Sequence, residues 1–150
     1  MKPRSGTSPE ADDDFFQWHA ESSQYRGELH AANRTALLRN PVCGDCVYLR
    51  SIVSPDQRIV KIRFRSVGCL LSTAAASILC EQIEGKSLAV LQQLSDAEMI
   101  RLVRIPITPR RFPCVLLALR CLHTMLDDDY SKRKIFPVDS NSRPPKRSHR

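Results

Sequence analysis

The chain has 150 residues, 42% of them hydrophobic and 26% charged, with six cysteines and a formal net charge of +7. This length fits one ordinary domain with a modest core, and no run of about 18 apolar residues is present to span a membrane. The polar opening stretch lacks the apolar segment of a secretory signal, so a cytosolic protein is expected, with cysteines kept reduced for metal or sulfur chemistry rather than paired as disulfides.

Residues 1–14 carry two basic and four acidic side chains and few apolar ones, and are predicted to be an acidic disordered segment. The folded domain is expected over residues 15–130. Helical signals fall between Phe15 and Leu38, where Phe15, Phe16, Trp18 and Tyr25 offer a face to dock on a sheet, and Thr35 to Arg39 reads equally well as a short third strand. From Cys46 to Val53 the residues alternate, with Val47, Leu49 and Val53 on one side and Cys46, Tyr48 and Arg50 on the other. Ser54-Pro55-Asp56-Gln57 is a turn with proline at its favoured second position. Arg58 to Ser66 alternates again, placing Val60, Ile62 and Phe64 inward and Lys61, Arg63 and Arg65 outward. An antiparallel pair with a solvated basic outer face follows from this pattern.

Leu70 to Glu84 carries the apolar stripe of a helix at Leu71, Ala74, Ala75, Ile78, Leu79 and Ile83, and Gly85 ends it. Ser87 caps a short helix bearing Leu88, Leu91 and Leu94, and Ser95-Asp96-Ala97-Glu98 has the form of a capping box. Pro106 and Pro109 interrupt the chain before a last helix, roughly Pro113 to Leu126, that buries Leu117, Ala118, Cys121, Leu122 and Met125. Residues 131–150 hold seven Lys or Arg against one Asp and are proline-rich, which predicts a disordered basic tail. Most of the net charge sits there, in a solubilising tail, so nucleic acid is not the expected partner. The predicted fold class is α+β, a small antiparallel sheet of about three strands packed against helices.

Three segments place thiols where thiolates are favoured: Asn40-Pro41-Val42-Cys43-Gly44-Asp45, Val67-Gly68-Cys69, and Arg110-Arg111-Phe112-Pro113-Cys114. Cys43, Cys69 and Cys114 with Asp45 could hold zinc or iron tetrahedrally. Cys43 and Asp45 lie two residues apart at the start of a strand, where an extended backbone points both the same way and Cys46 the opposite way. Cys69 directly precedes a helix, and Cys114 sits in the first turn of another beside Arg110 and Arg111, so both thiols are expected to be unusually ionised. Cys80 lies about 16 Å along the helix from Cys69, and Cys121 falls on the buried stripe; both read as small core residues. Cys43-Gly44-Asp45-Cys46 lacks the second pair of a zinc ribbon and the preceding strand of a thioredoxin-like site.

Together with Ser72, Ala74-Ala75-Ala76-Ser77 and Glu84-Gly85-Lys86-Ser87-Leu88, these segments resemble the U-type iron–sulfur cluster assembly proteins: IscU, SufU and the amino-terminal domain of NifU. The resemblance runs in register from about Asn40 to Leu126. It implies a three-stranded sheet against helices, with Cys43, Asp45, Cys69 and Cys114 as metal or cluster ligands at one exposed end. It also implies a cysteine desulfurase as sulfur donor and iron–sulfur acceptor or carrier proteins as recipients. IscU-like members build a two-iron, two-sulfur cluster, whereas SufU-like members hold zinc and relay persulfide sulfur as sulfurtransferases. The persulfide acceptor is Cys43 by similarity to SufU and Cys114 by similarity to IscU. Pro113 stands where IscU has a histidine, and Arg111 resembles a supporting arginine of SufU. The 45-residue step from Cys69 to Cys114 is close to the IscU length. The amino-terminal region lacks the family's His-Tyr and Asn-Pro-Arg-Asn signature.

Overall fold

The computed structural model describes residues 8–127, so the basic tail at 131–150 lies outside the described residues. The elements in chain order are α1 (Pro9–Glu21), β1 (Arg34–Arg39), β2 (Cys46–Val53), β3 (Ile59–Val67), α2 (Leu70–Ile83), α3 (Leu88–Gln92), α4 (Asp96–Val103) and α5 (Phe112–Leu126), with a single 3-10 turn at Pro109–Arg111. The strands form one antiparallel sheet in the order β1-β2-β3. One sheet face, carrying Val47, Leu49, Ile62 and Phe64, packs against α2 and α5, and these layers enclose the core. The α+β class with three strands is therefore the observed one. Among the described residues no helix is long and apolar enough to cross a membrane.

The helix starts follow from local chemistry. Ser87 caps α3, and Ser95 and Glu98 form the reciprocal capping box that opens α4. The helix α1 begins at Pro9, inside the segment 1–14 expected to be disordered. Ser8 accepts the Ala11 amide, proline takes the first helical position, and Glu10 and Asp12 face the positive end of the dipole. Composition marked this stretch as polar, but its start signals and the apolar anchor Phe15 override that.

The ambiguous stretch before Asn40 resolves into helix and strand: β1 occupies Arg34–Arg39, the third strand. Helix α1 docks on α2 rather than on the sheet, burying Phe15 under the Arg104 guanidinium, 3.8 Å from the ring centroid. Tyr25 does reach the sheet, at its edge: the Phe64 amide donates to the Tyr25 carbonyl and the Gly27 amide to the Phe64 carbonyl, each at 2.9 Å. A short parallel strip of chain thus lines β3.

Two expectations for the hairpin are corrected. Val60 is 57% exposed and Ile59 is buried instead. A bulge opposite Ile52 and Val53 adds one residue to β3, since Ile52 pairs with Lys61 but Val53 with Ile59, and this reverses the alternation at that end. The outer face is not a freely solvated basic surface either. Tyr48 and Arg50 are buried, Glu28 bridges Arg50 and Arg65, and Glu84 pairs with Arg63 at 3.1 Å. The acidic partners come from outside the strands, so strand periodicity could not place them.

Candidate metal centre

The β1–β2 connection, Asn40 to Asp45, is tied into a compact loop. The buried Asn40 donates its amide to the Asp45 carbonyl at 2.7 Å, accepts the Gly44 amide at 2.7 Å, and its side-chain oxygen accepts the Val42 amide at 3.0 Å. Asparagine in this role and proline next to it are turn formers. Gly44 has φ +79°, a left-handed conformation that glycine adopts without penalty. Cys43 therefore sits in a turn and not on extended backbone as expected, and the loop's curvature, rather than strand alternation, brings Cys43 and Asp45 to one place. Cys46 begins β2 with its thiol buried; burial raises its pKa against the influence of Arg39, which makes it a poor ligand.

The ligand atoms of Cys43, Asp45 and Cys114 all lie within 4.8 Å of one another. Cys114 comes from the first turn of α5, so the loop and the helix start meet at the same end of the molecule. Cys69 stands at the N-cap of α2, where its sulfur accepts the Ser72 amide at 3.4 Å and faces the Arg111 guanidinium at 3.7 Å. Arg111 also opposes the rise in the Cys114 pKa, so one exposed cation acts on two thiols. Cys69 is not one of the three whose ligand atoms converge within 4.8 Å; it is linked to them through Arg111 and through Ser72, whose hydroxyl donates to Asp45 Oδ2 at 2.7 Å.

Electrostatics divide the residues. Burial works to raise the Asp45 pKa, but hydrogen bonds from Ser72, then from the Cys69 side chain and backbone, then from Cys43, outweigh it and hold the carboxyl below its ordinary value. Asp45 is thus kept as a carboxylate although nearly buried. Cys114 departs from the expectation of a strongly ionised thiol. Burial pushes its pKa up, Arg111 opposes this, and the neighbouring Cys69 and Cys43 raise it further. Crowding by the other two thiols thus makes Cys114 harder to ionise. Cys80 and Cys121 are fully buried with thiols pushed upward by desolvation, and the Cys121 thiol donates to the Ala36 and Val47 carbonyls. Both are core residues, as expected.

The two soft sulfurs and one hard oxygen that converge suit zinc or iron, and the pre-ionised Asp45 supplies charge for either. Gly68 makes room for that carboxylate: with φ +147°, a Cβ built there would lie 2.4 Å from Asp45 Cγ. The sequence reading gave Ser72 no role of its own. The available signal was Cys-x-x-Ser at a helix start, which has the spacing of a capping unit.

A sequence profile described as "NifU-like N terminal domain" matches residues 14–136. The IscU scaffold protein of Rickettsia prowazekii is 29% identical over 119 residues, covering 77% of this chain and 89% of that protein. The bifunctional protein NifU/MnmA of Rubrobacter xylanophilus is 30% identical over 115 residues, covering 77% of this chain; the chain spans only 24% of that longer relative. Among solved structures, the SUF-system protein FiSufU from Fervidobacterium islandicum superposes with a TM-score of 0.66 at 24% identity, covering 75% of this chain and 94% of the other. An amino-terminal NifU-like protein from Brucella abortus superposes with a TM-score of 0.61 at 15% identity, covering 79% and 92%. These two likenesses concern the fold.

Proposed function

We infer the function from one premise: the chain belongs to the family of iron–sulfur cluster scaffold proteins that includes IscU, SufU and the amino-terminal domain of NifU. It is an iron–sulfur cluster assembly scaffold, on which iron and sulfur from a cysteine desulfurase are combined and from which the product passes to acceptor proteins. The observation that carries this reading is the convergence of Cys43, Asp45 and Cys114 within 4.8 Å at one end of the fold. Cys69, aligned by the α2 N-cap, supplies the remaining sulfur. The iron–sulfur unit is cargo, held and then released. Thiolates hold soft metal firmly, and Asp45, a hard oxygen among them, holds it less firmly than a fourth cysteine would. Sulfur delivery needs an accessible thiolate that attacks the outer sulfur of the desulfurase persulfide; the S–S bond breaks and the desulfurase cysteine leaves as thiolate. Cys43 is exposed and Cys114 is buried, which favours Cys43 as the acceptor. A reducing compartment, the cytosol, suits this thiol set.

A second reading, a zinc-dependent sulfurtransferase, is favoured by Arg111. Its guanidinium lies beside Cys69 and Cys114 and can stabilise a thiolate freed from a metal. Zinc would keep the site thiols ionised at neutral pH, while Cys43 takes up sulfur and passes it on. One experiment separates the two. Reconstitution with iron and a desulfurase that yields a coloured protein able to activate an apo acceptor supports the scaffold. About one tightly held zinc per chain, no colour, and a faster desulfurase turnover support the relay.

A further inference from the structure

We propose that Ser72 is a positioning residue that engages one Asp45 oxygen and so presents the carboxylate to the metal centre through the other. This rests on the reading of Cys43, Asp45, Cys69 and Cys114 as the metal-holding set.

Ser72 is 1% exposed and Asp45 6% exposed, so their contact is sheltered from water. The Ser72 hydroxyl has one hydrogen, and at 2.7 Å it is directed to Asp45 Oδ2. The Ser72 backbone amide meanwhile donates to Cys69 Sγ at 3.4 Å. One residue in the first turn of α2 therefore orders two candidate ligands that belong to different elements. Gly68 backs the carboxylate closely: an added Cβ would lie 2.4 Å from both Asp45 Cγ and Oδ1. The carboxylate stands in a slot between a glycine backbone and a hydroxyl, and cannot turn freely about its Cβ–Cγ bond. Bringing both oxygens to a metal would break the 2.7 Å Ser72 contact and leave the buried hydroxyl only its longer, 3.4 Å contact with Cys69 Sγ, which is unfavourable. A metal held here would thus take Asp45 through one oxygen, and its hold would be weakest at that corner. Groups that orient a ligand from behind in this way change metal affinity about 10–100-fold when removed.

The test uses the full-length protein with zinc, measured by competition with a chromophoric chelator, and with cobalt(II) as a visible probe. Ser72→Ala keeps the backbone amide that caps Cys69 and removes the hydroxyl, with its short contact to Asp45 and its longer one to Cys69 Sγ. It should weaken zinc binding about 10–100-fold and lower the intensity of the cobalt ligand-field bands, as four-coordination gives way to a higher number. Urea unfolding of the metal-free proteins checks that the variant is folded. The second arm places Ser72→Ala on an Asp45→Ala background, where zinc affinity should change by less than about twofold because the coupled partner is gone. The proposal is overturned by parental affinity and spectrum in Ser72→Ala, or by an equal loss on both backgrounds. If the parent's zinc and cobalt binding survives Cys43→Ser and Cys114→Ser unchanged, the metal-centre reading itself fails and the Ser72 role falls with it.

Discussion

Helices α2 and α5 each carry two cysteines, and the members of each pair have opposite fates. Cys69 caps α2 and Cys114 lies in the first turn of α5, both beside Arg111; Cys80 and Cys121 lie deeper in the same helices and are fully buried. The residue type is the same, so it does not decide the chemistry. What differs is the neighbourhood: at the helix starts a guanidinium and free backbone amides favour negative charge, and a loop carboxylate and a further thiol stand close enough to share a cation with them. Deeper in, apolar packing leaves the thiol as a small, weakly polar filler. The ligand chemistry lives where helix starts meet the Asn40–Asp45 loop.

The largest effect expected from this contrast is on metal binding. Cys43→Ser and Cys114→Ser should each weaken zinc or iron uptake by at least about 100-fold, beyond the loss from an outer hydrogen-bond partner, whereas Cys80→Ala and Cys121→Ala should leave it unchanged; chelator competition on all four variants gives the answer. Parental affinity in Cys43→Ser would erase the contrast. A middle-sized effect is expected at Gly68, where alanine meets both the Asp45 carboxylate and a disfavoured backbone angle. Gly68→Ala should lower stability by about 1–3 kcal/mol and weaken metal binding as well, read by urea unfolding and by titration. The smallest effect belongs to the interior thiols. Cys80→Ala or Cys121→Ala should cost about 1 kcal/mol through the cavity left behind, with the urea midpoint shifted and its slope unchanged.

Much of this was legible in the chain. Alternation around a Pro55 turn gave β2 and β3, Ser87 and Ser95 marked two helix starts, and the spacing of cysteines placed three of them at element boundaries. The failures share one cause: each depended on a neighbour distant in sequence. The bulge that exposes Val60 belongs to a pairing with Val53. The burial of Arg50 needs Glu28, and the raised Cys114 thiol reflects packing and the adjacent Cys69 and Cys43. Where α1 docks on α2, Arg104 lies over the buried Phe15 ring, a contact that the apolar face of α1 alone does not announce. Periodicity reports which side of an element is apolar; it does not report what lies opposite.

The strip from Tyr25 to Gly27 has a bearing on how this molecule can meet others. Phe64 offers its amide and carbonyl outward from β3, and both are already taken by the chain's own backbone. Foreign polypeptide seeking to lengthen the sheet on that flank would first have to peel the strip away, so the molecule carries its own guard against strand-by-strand stacking there.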